Sequence, residues 1–150
     1  MENDILTAVK GVLQADASLR SAGLNARAVV IAENGEISPG LPMPGAAIAS
    51  GIITTTPRDM TGGSDFVSFS LTVHIYTEDF SKAHKGPDQP SLDLKSLCVY
   101  VKTALNHNLL SLDIMSALVG AITFPSYAQR NYIDRWEGRV PMTYRWVHIN

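Results

Sequence analysis

Between Phe66 and Thr77 the chain alternates with a period of two. Val67, Phe69, Leu71, Val73 and Ile75 fall on one side, and Phe66, Ser68, Ser70, Thr72, His74 and Tyr76 on the other. Successive side chains of a strand point to opposite faces, so this run predicts a strand with one face in a core and a more polar face opposite. Strands of parallel sheets are usually apolar on both faces, and the alternation therefore points to an antiparallel sheet covered on one side. Two helical stripes can supply the cover. Ile5, Leu6, Val9, Val12 and Leu13 recur at helical spacing within Glu2 to Gln14, and Leu94, Leu97, Cys98, Val101 and Leu105 do so within Leu92 to Asn106. Asn3 and Asp4 are placed to cap the first helix and Ser91 the second, where Asp93 suits the positive end of the helix dipole. A short turn from Ala17 to Ala22 should stop at Gly23, a residue at ease in the left-handed conformation that ends helices.

Further strands are expected over Arg27 to Ala32, within Ala46 to Thr56 before Pro57, and over Leu118 to Phe124, Tyr127 to Trp136 and Arg139 to Ile149. A turn at Glu137-Gly138 would precede the last, in which Val140, Met142, Tyr144 and Trp146 share a face. Pro141 has no amide hydrogen for a ladder, which predicts an edge strand or a bulge there. Glycine and proline exclude regular structure from Glu33 to Pro44, and Pro57 to Ser64 and Glu78 to Pro90 read as further loops. The expectation is an α+β fold: a mainly antiparallel sheet with two principal helices packed on one face and long connecting loops, in a single domain over residues 1–150.

Composition narrows the function classes. At 45% apolar and 17% charged residues the chain is globular in character rather than disordered. Twelve Lys and Arg against fourteen Asp and Glu give a net charge of -2, which offers no general attraction to a polyanion. The one local excess lies between Arg130 and Asn150, where Arg130, Arg135, Arg139 and Arg145 outnumber Asp134 and Glu137. Cys98 is the only cysteine, so no intrachain disulfide can form. No apolar run is long enough to span a bilayer, and the start of the chain lacks the pattern of a secretory signal, so synthesis in a cytosol is expected.

Candidate chemistry is sparse. His74, His84, His107 and His148 fall on different elements with no metal-binding spacing. Cys98 sits on an apolar helix stripe, which disfavours a thiolate. There is no G-x-S-x-G elbow and no glycine-rich loop leading into a helix to cradle phosphates. Glu33, Glu36, Glu78 and Asp79 lie in loops, where solvation keeps them ordinary acids. Tyr144 and Trp146 alternate with Arg139 and Arg145, as a core-facing set alternates with a solvent-facing one. No catalytic, cofactor-binding or metal-binding residue is assigned, and the expected work is binding by surfaces.

Taken in order, these elements resemble the tail terminator, or tail-completion, proteins of tailed bacteriophages. The resemblance runs over nearly the whole chain. It rests on the amphipathic helix Ile5 to Gln14, the proline-rich approach to a small-residue strand from Pro42 to Ile53, and the alternating strand Val67 to Tyr76. The loop with His84-Lys85-Gly86, the helix Leu92 to Asn106 and a Trp136-Glu137-Gly138-Arg139 turn into a final strand complete it. It implies a non-enzymatic virion subunit, made in the bacterial host cytoplasm, that forms a hexameric ring on the tail tube. Such a ring stops tube growth and offers an attachment surface to neck or connector proteins, while DNA passes through without sequence recognition; no membrane or cofactor is involved. Phe80, Lys82 and Lys85, with Arg139 and Arg145 on the last strand, are the residues expected at the contact with neighbouring subunits or the tube. The alternatives are another neck or connector subunit, a small ligand-binding domain or enzyme with a pocket near His74, Tyr76 and His107, and an adaptor taking a peptide along its edge strand.

Overall fold

The structure is a computed structural model that describes residues 1–32, 44–78, 92–125 and 135–150. Helix α1 spans Glu2–Ala15 and α2 spans Ala17–Ser21; a 3-10 turn at Ala26–Ala28 leads into β1, Val29–Ile31. Strands β2 (Gly45–Pro57) and β3 (Ser64–Glu78) form a long hairpin, followed by α3 (Leu92–Leu105), the short β4 (Ser116–Val119) and β5 (Arg135–Ile149). The sheet order is β1-β2-β3-β5-β4, antiparallel throughout except for the parallel pair β1 and β2. This is the α+β fold with a mainly antiparallel sheet that the alternation in β3 demanded.

The helices cover one face. Ile5, Leu6, Val9 and Leu13 of α1 and Leu94, Leu97, Cys98, Val101 and Leu105 of α3 join Val67, Phe69, Leu71, Val73 and Ile75 of β3 in one apolar cluster. Val140, Met142, Tyr144 and Trp146 of β5 enter it from the next strand. Burying a large aliphatic or aromatic side chain contributes about 1.5–3 kcal/mol, so this layer dominates the stability. Helix α2 ends as its glycine requires: Gly23 has φ +98°, its N–H donates to the Arg20 carbonyl at 3.1 Å, and the Leu24 N–H donates to the Leu19 carbonyl at 3.0 Å. Both leucines are buried, which completes a Schellman stop with its apolar contact. The start of α1 differs from expectation, because Met1 is the cap residue and no side chain caps it; Asn3 and Asp4 lie inside the helix.

The C-terminal third corrects the sequence reading. Glu137 and Gly138 do not turn: they continue β5, paired with Tyr76 and Ile75 of β3. Nor is β5 an edge strand, since β3 pairs it from Ser64↔Ile149 to Glu78↔Arg135 and β4 pairs its other side from Ser116↔Arg145 to Val119↔Met142. Pro141 is tolerated because its missing N–H would point toward β4, and the regular ladder with β4 stops one residue earlier. There the Gly120 N–H still donates to the Pro141 carbonyl at 2.8 Å, and pairing resumes in a new register at Thr123↔Arg139. The expected strand Leu118 to Phe124 is therefore Ser116–Val119 plus a single bridge. Residues 127–134 of the expected strand Tyr127 to Trp136 lie outside the described residues, and Arg135 and Trp136 belong to β5.

Candidate functional site

The two margins of the sheet are built differently. At β4 the turn after α3 closes the edge: the His107 N–H donates to the Ala117 carbonyl at 2.8 Å, and the Val119 N–H donates to Asn106 Oδ1 at 3.1 Å. His107 has φ 61° to do so, a left-handed conformation that costs a non-glycine residue on the order of 1 kcal/mol. Closing an edge removes backbone groups that could pair with another chain. Among the described residues the opposite margin carries no such device. The Ile48 carbonyl accepts from Ala32 N–H at 2.9 Å, where the described part of the β1 segment ends. Among the described residues no strand pairs the outer side of β2 beyond Ile48.

A bulge marks where β2 leaves its cover. Register shifts between Ser50 and Ile53, and a Cβ on Gly51 would lie 2.9 Å from the Ser70 carbonyl oxygen, so only glycine fits this close approach. Ser70 Oγ accepts the Ile52 N–H at 2.9 Å, replacing a lost ladder bond. Beyond it every residue from Ser50 to Pro57 is exposed, including Ile52 at 75% and Ile53 at 48%. A different apolar group, Leu109, Met115 and Leu118, is exposed around β4.

The sheet face turned away from the helices holds the two described residues of the predicted contact set. Arg139 and Arg145 both lie there on β5, in an interior strand and not at the edge; Phe80, Lys82 and Lys85 lie outside the described residues. Arg139 Nε donates to Glu137 Oε2 at 3.2 Å, and His74 Nδ1 lies 2.7 Å from Glu137 Oε1. The Glu137 side chain is only 3% exposed, and these two partners keep the buried carboxylate from standing alone. His74 stacks on Tyr76, which packs with Ala47, Val30 and Ala32. Farther along the face, the guanidinium carbons of Arg58 and Arg145 sit 5.9 and 5.8 Å from the Phe66 ring centroid.

The pocket imagined near His74, Tyr76 and His107 does not form, because His107 belongs to the turn after α3 while His74 and Tyr76 face away from the helices. Cys98 is buried, and desolvation pushes its thiol up to about 12, which makes it a packing residue rather than a nucleophile. Burial likewise raises the Tyr144 hydroxyl, which has no hydrogen-bond partner among the described residues. Among those residues no three His, Cys, Asp or Glu side chains gather as a metal site. No described helix is long and apolar enough to cross a membrane. A shallow groove of about 330 Å³ runs between α2 and α3, lined by Ala17, Ser18, Ser21, Ala22 and Tyr100. Sequence reasoning missed the Asn106 and His107 edge closure, and it missed Gly51, although a glycine inside a β-branched run is itself the mark of a bulge.

No protein-family model and no curated protein matches the chain. Among solved structures it is similar to a chain from the virion of a native gene transfer agent particle, with a TM-score of 0.64 and 18% identity. The match covers 96% of this chain and 95% of that one, so the two share their fold from end to end.

Proposed function

We propose that this protein is a structural subunit of a phage-type virion, a tail terminator whose residues 1–150 act as one domain. It forms a six-fold ring on the tail tube, stops tube growth and presents a surface to neck or connector proteins. The observation that carries the reading is the pair of unlike apolar margins on opposite sides of the sheet: Ile52 and Ile53 on the open flank of β2, and Leu109, Met115 and Leu118 around β4. Unlike patches that meet head to tail generate rings when the rotation closes, whereas a patch that pairs with itself stops at two copies. Closure of the β4 backbone edge fits the same scheme, because it leaves that margin only side-chain contacts to offer. The likeness to a virion chain along its whole length supports the setting. The sparse chemistry agrees with a role in assembly rather than turnover.

Ile53→Lys and Leu118→Lys each spoil one margin and leave the other intact, so each variant alone should stay monomeric by light scattering with an unchanged circular dichroism spectrum. Mixed in equal amounts, they retain one good interface per pair and should form a 1:1 dimer, while the unaltered chain forms hexameric rings, alone or on tail tubes. An unaltered chain that stays monomeric and ignores tubes would refute the proposal. So would variants that fail to pair when mixed.

A further inference from the structure

The helix-free face of the sheet carries a second arrangement beside the Leu118 margin. Cross-strand register arranges it in rows: Thr56, Phe66 and Val147; then Thr54, Ser68, Arg145 and Ser116; then Ser70, Thr143 and Leu118; then Ala49, Thr72 and Pro141. Hydroxyls dominate these rows, and Arg145 is their one charged member. Farther along the face the Glu137 carboxylate is buried against Arg139 and His74, and Glu78 stands at the same parity where β3 ends, in register with Arg135. The acids nearest the Phe66 end of the face are turned elsewhere. The Asp59 carboxylate accepts hydrogen bonds from Thr61, Gly63 and Ser64 within its own turn, and Asp65, on the other parity of β3, accepts from Asn150. Arg58 and Arg145 are thus left without an ion pair among the described residues, their guanidinium carbons 5.9 and 5.8 Å from the Phe66 ring centroid. A chain of net charge -2 has concentrated uncompensated guanidinium on one hydroxyl-lined surface.

We infer that this face binds the phosphodiester backbone of duplex DNA, with Arg58 and Arg145 on phosphates and the hydroxyls of Thr54, Ser68 and Thr143 as neutral donors. Charge complementarity selects a polyanion. Composition then selects nucleic acid over an acidic protein: hydroxyl and guanidinium side chains outnumber the apolar ones in these rows, and DNA interfaces are more polar and more positive than protein interfaces. Arginine and Ser or Thr side chains are the usual donors to phosphate oxygens, and such contacts position without reading sequence. Phe66 carries guanidiniums instead of standing bare, which favours a backbone over stacked single-stranded bases. Two arginines bind weakly alone; a ring multiplies them through effective concentration, and that step alone rests on the function proposed above.

The test is fluorescence anisotropy of a labelled duplex against salt, with oligomeric state measured in the same samples. Arg58→Ala/Arg145→Ala should reduce the slope of log K against log salt by about 1.8 for each subunit that engages the duplex, at about 0.9 per phosphate contact. Arg58→Lys/Arg145→Lys should keep the slope, and Arg27→Ala/Lys95→Ala, the same charge change away from this face, should leave it unaltered. The inference is overturned by absence of binding at low salt, by an equal loss in the control pair, or by poly-glutamate displacing the duplex at equal charge. Rings that ignore DNA sink this inference alone; DNA binding without rings sinks the terminator reading and leaves this one standing.

Discussion

Gly138 is where helix α3 meets the sheet, and adding one methyl there tests the packing of the whole layer. A Cβ built on Gly138 would lie 2.5 Å from Cys98 Sγ and 3.2 Å from Phe124 Cε1. The nearer neighbour cannot move freely: Cys98 is buried among the leucines of α3, and its thiol has one rotatable bond. Overpacking of this kind costs about 1–3 kcal/mol, so Gly138→Ala should lower Tm by roughly 2–12 °C at about 2–4 °C per kcal/mol for a chain of this size. Cys98→Ala alone removes a single heavy atom and should cost about 1 kcal/mol, as comparable one-atom core deletions do. The double variant places the new methyl in the space the sulfur vacates. Its cost should fall short of the sum of the single costs by at least about 0.5 kcal/mol, the coupling expected of residues in contact. Urea unfolding followed by circular dichroism gives all three values, with m unchanged if only the packing is touched. Additivity across the cycle would mean that α3 is not seated on Gly138.

The Cys98 thiol should resist alkylation in the native protein, at a rate that tracks unfolding. Because its folded pKa is raised from 9.0 to about 12, the stability it contributes is complete below pH 9 and declines as pH rises from there toward 12; a pH-independent urea midpoint over that window, or fast native labelling, contradicts this. Asn106→Ala removes the acceptor for the Val119 N–H and reopens the β4 edge, so it should cost about 1 kcal/mol and raise concentration-dependent light scattering. Scattering equal to that of the unaltered protein would show that the side chain does not guard the edge.

Much of this architecture was legible because period and punctuation agree. The alternation of β3 and the helical stripes of α1 and α3 each report a single burial direction, and the Gly23 stop follows from local conformation alone. The failures share a cause. Glu137-Gly138 carries the composition of a turn, yet tertiary packing uses the glycine to admit Cys98 and buries the glutamate against His74, a residue far away in sequence. Pro141 argued for an edge because a missing donor is usually intolerable between two strands; the neighbour instead breaks its ladder at that point, which no reading of β5 alone could foresee. Of the predicted contact residues, Arg145 lies on an open face by simple alternation, but its relation to Arg58 depends on the path of a hairpin turn. The closure of β4 by Asn106 and His107 has no local signature at all.

The placement of the bulge explains how one small sheet can be both stable and available. Up to Ala49, β2 is buried; from Ser50 onward it is exposed, and Gly51 sits at the boundary. A bulge bends and twists its strand, so it can carry the far half of β2 off the helix-covered core without unpairing it from β3. Substitutions at Ile53 to Pro57 therefore act on surface that contributes little to folding, and a charged residue there should change association while leaving the unfolding midpoint within about 0.5 kcal/mol of its original value. Gly51→Val must behave otherwise. It forces the strand away from the Ser70 backbone, so folding and assembly fail together, and the contrast between Gly51 and Ile53 separates the hinge of this projection from its working surface.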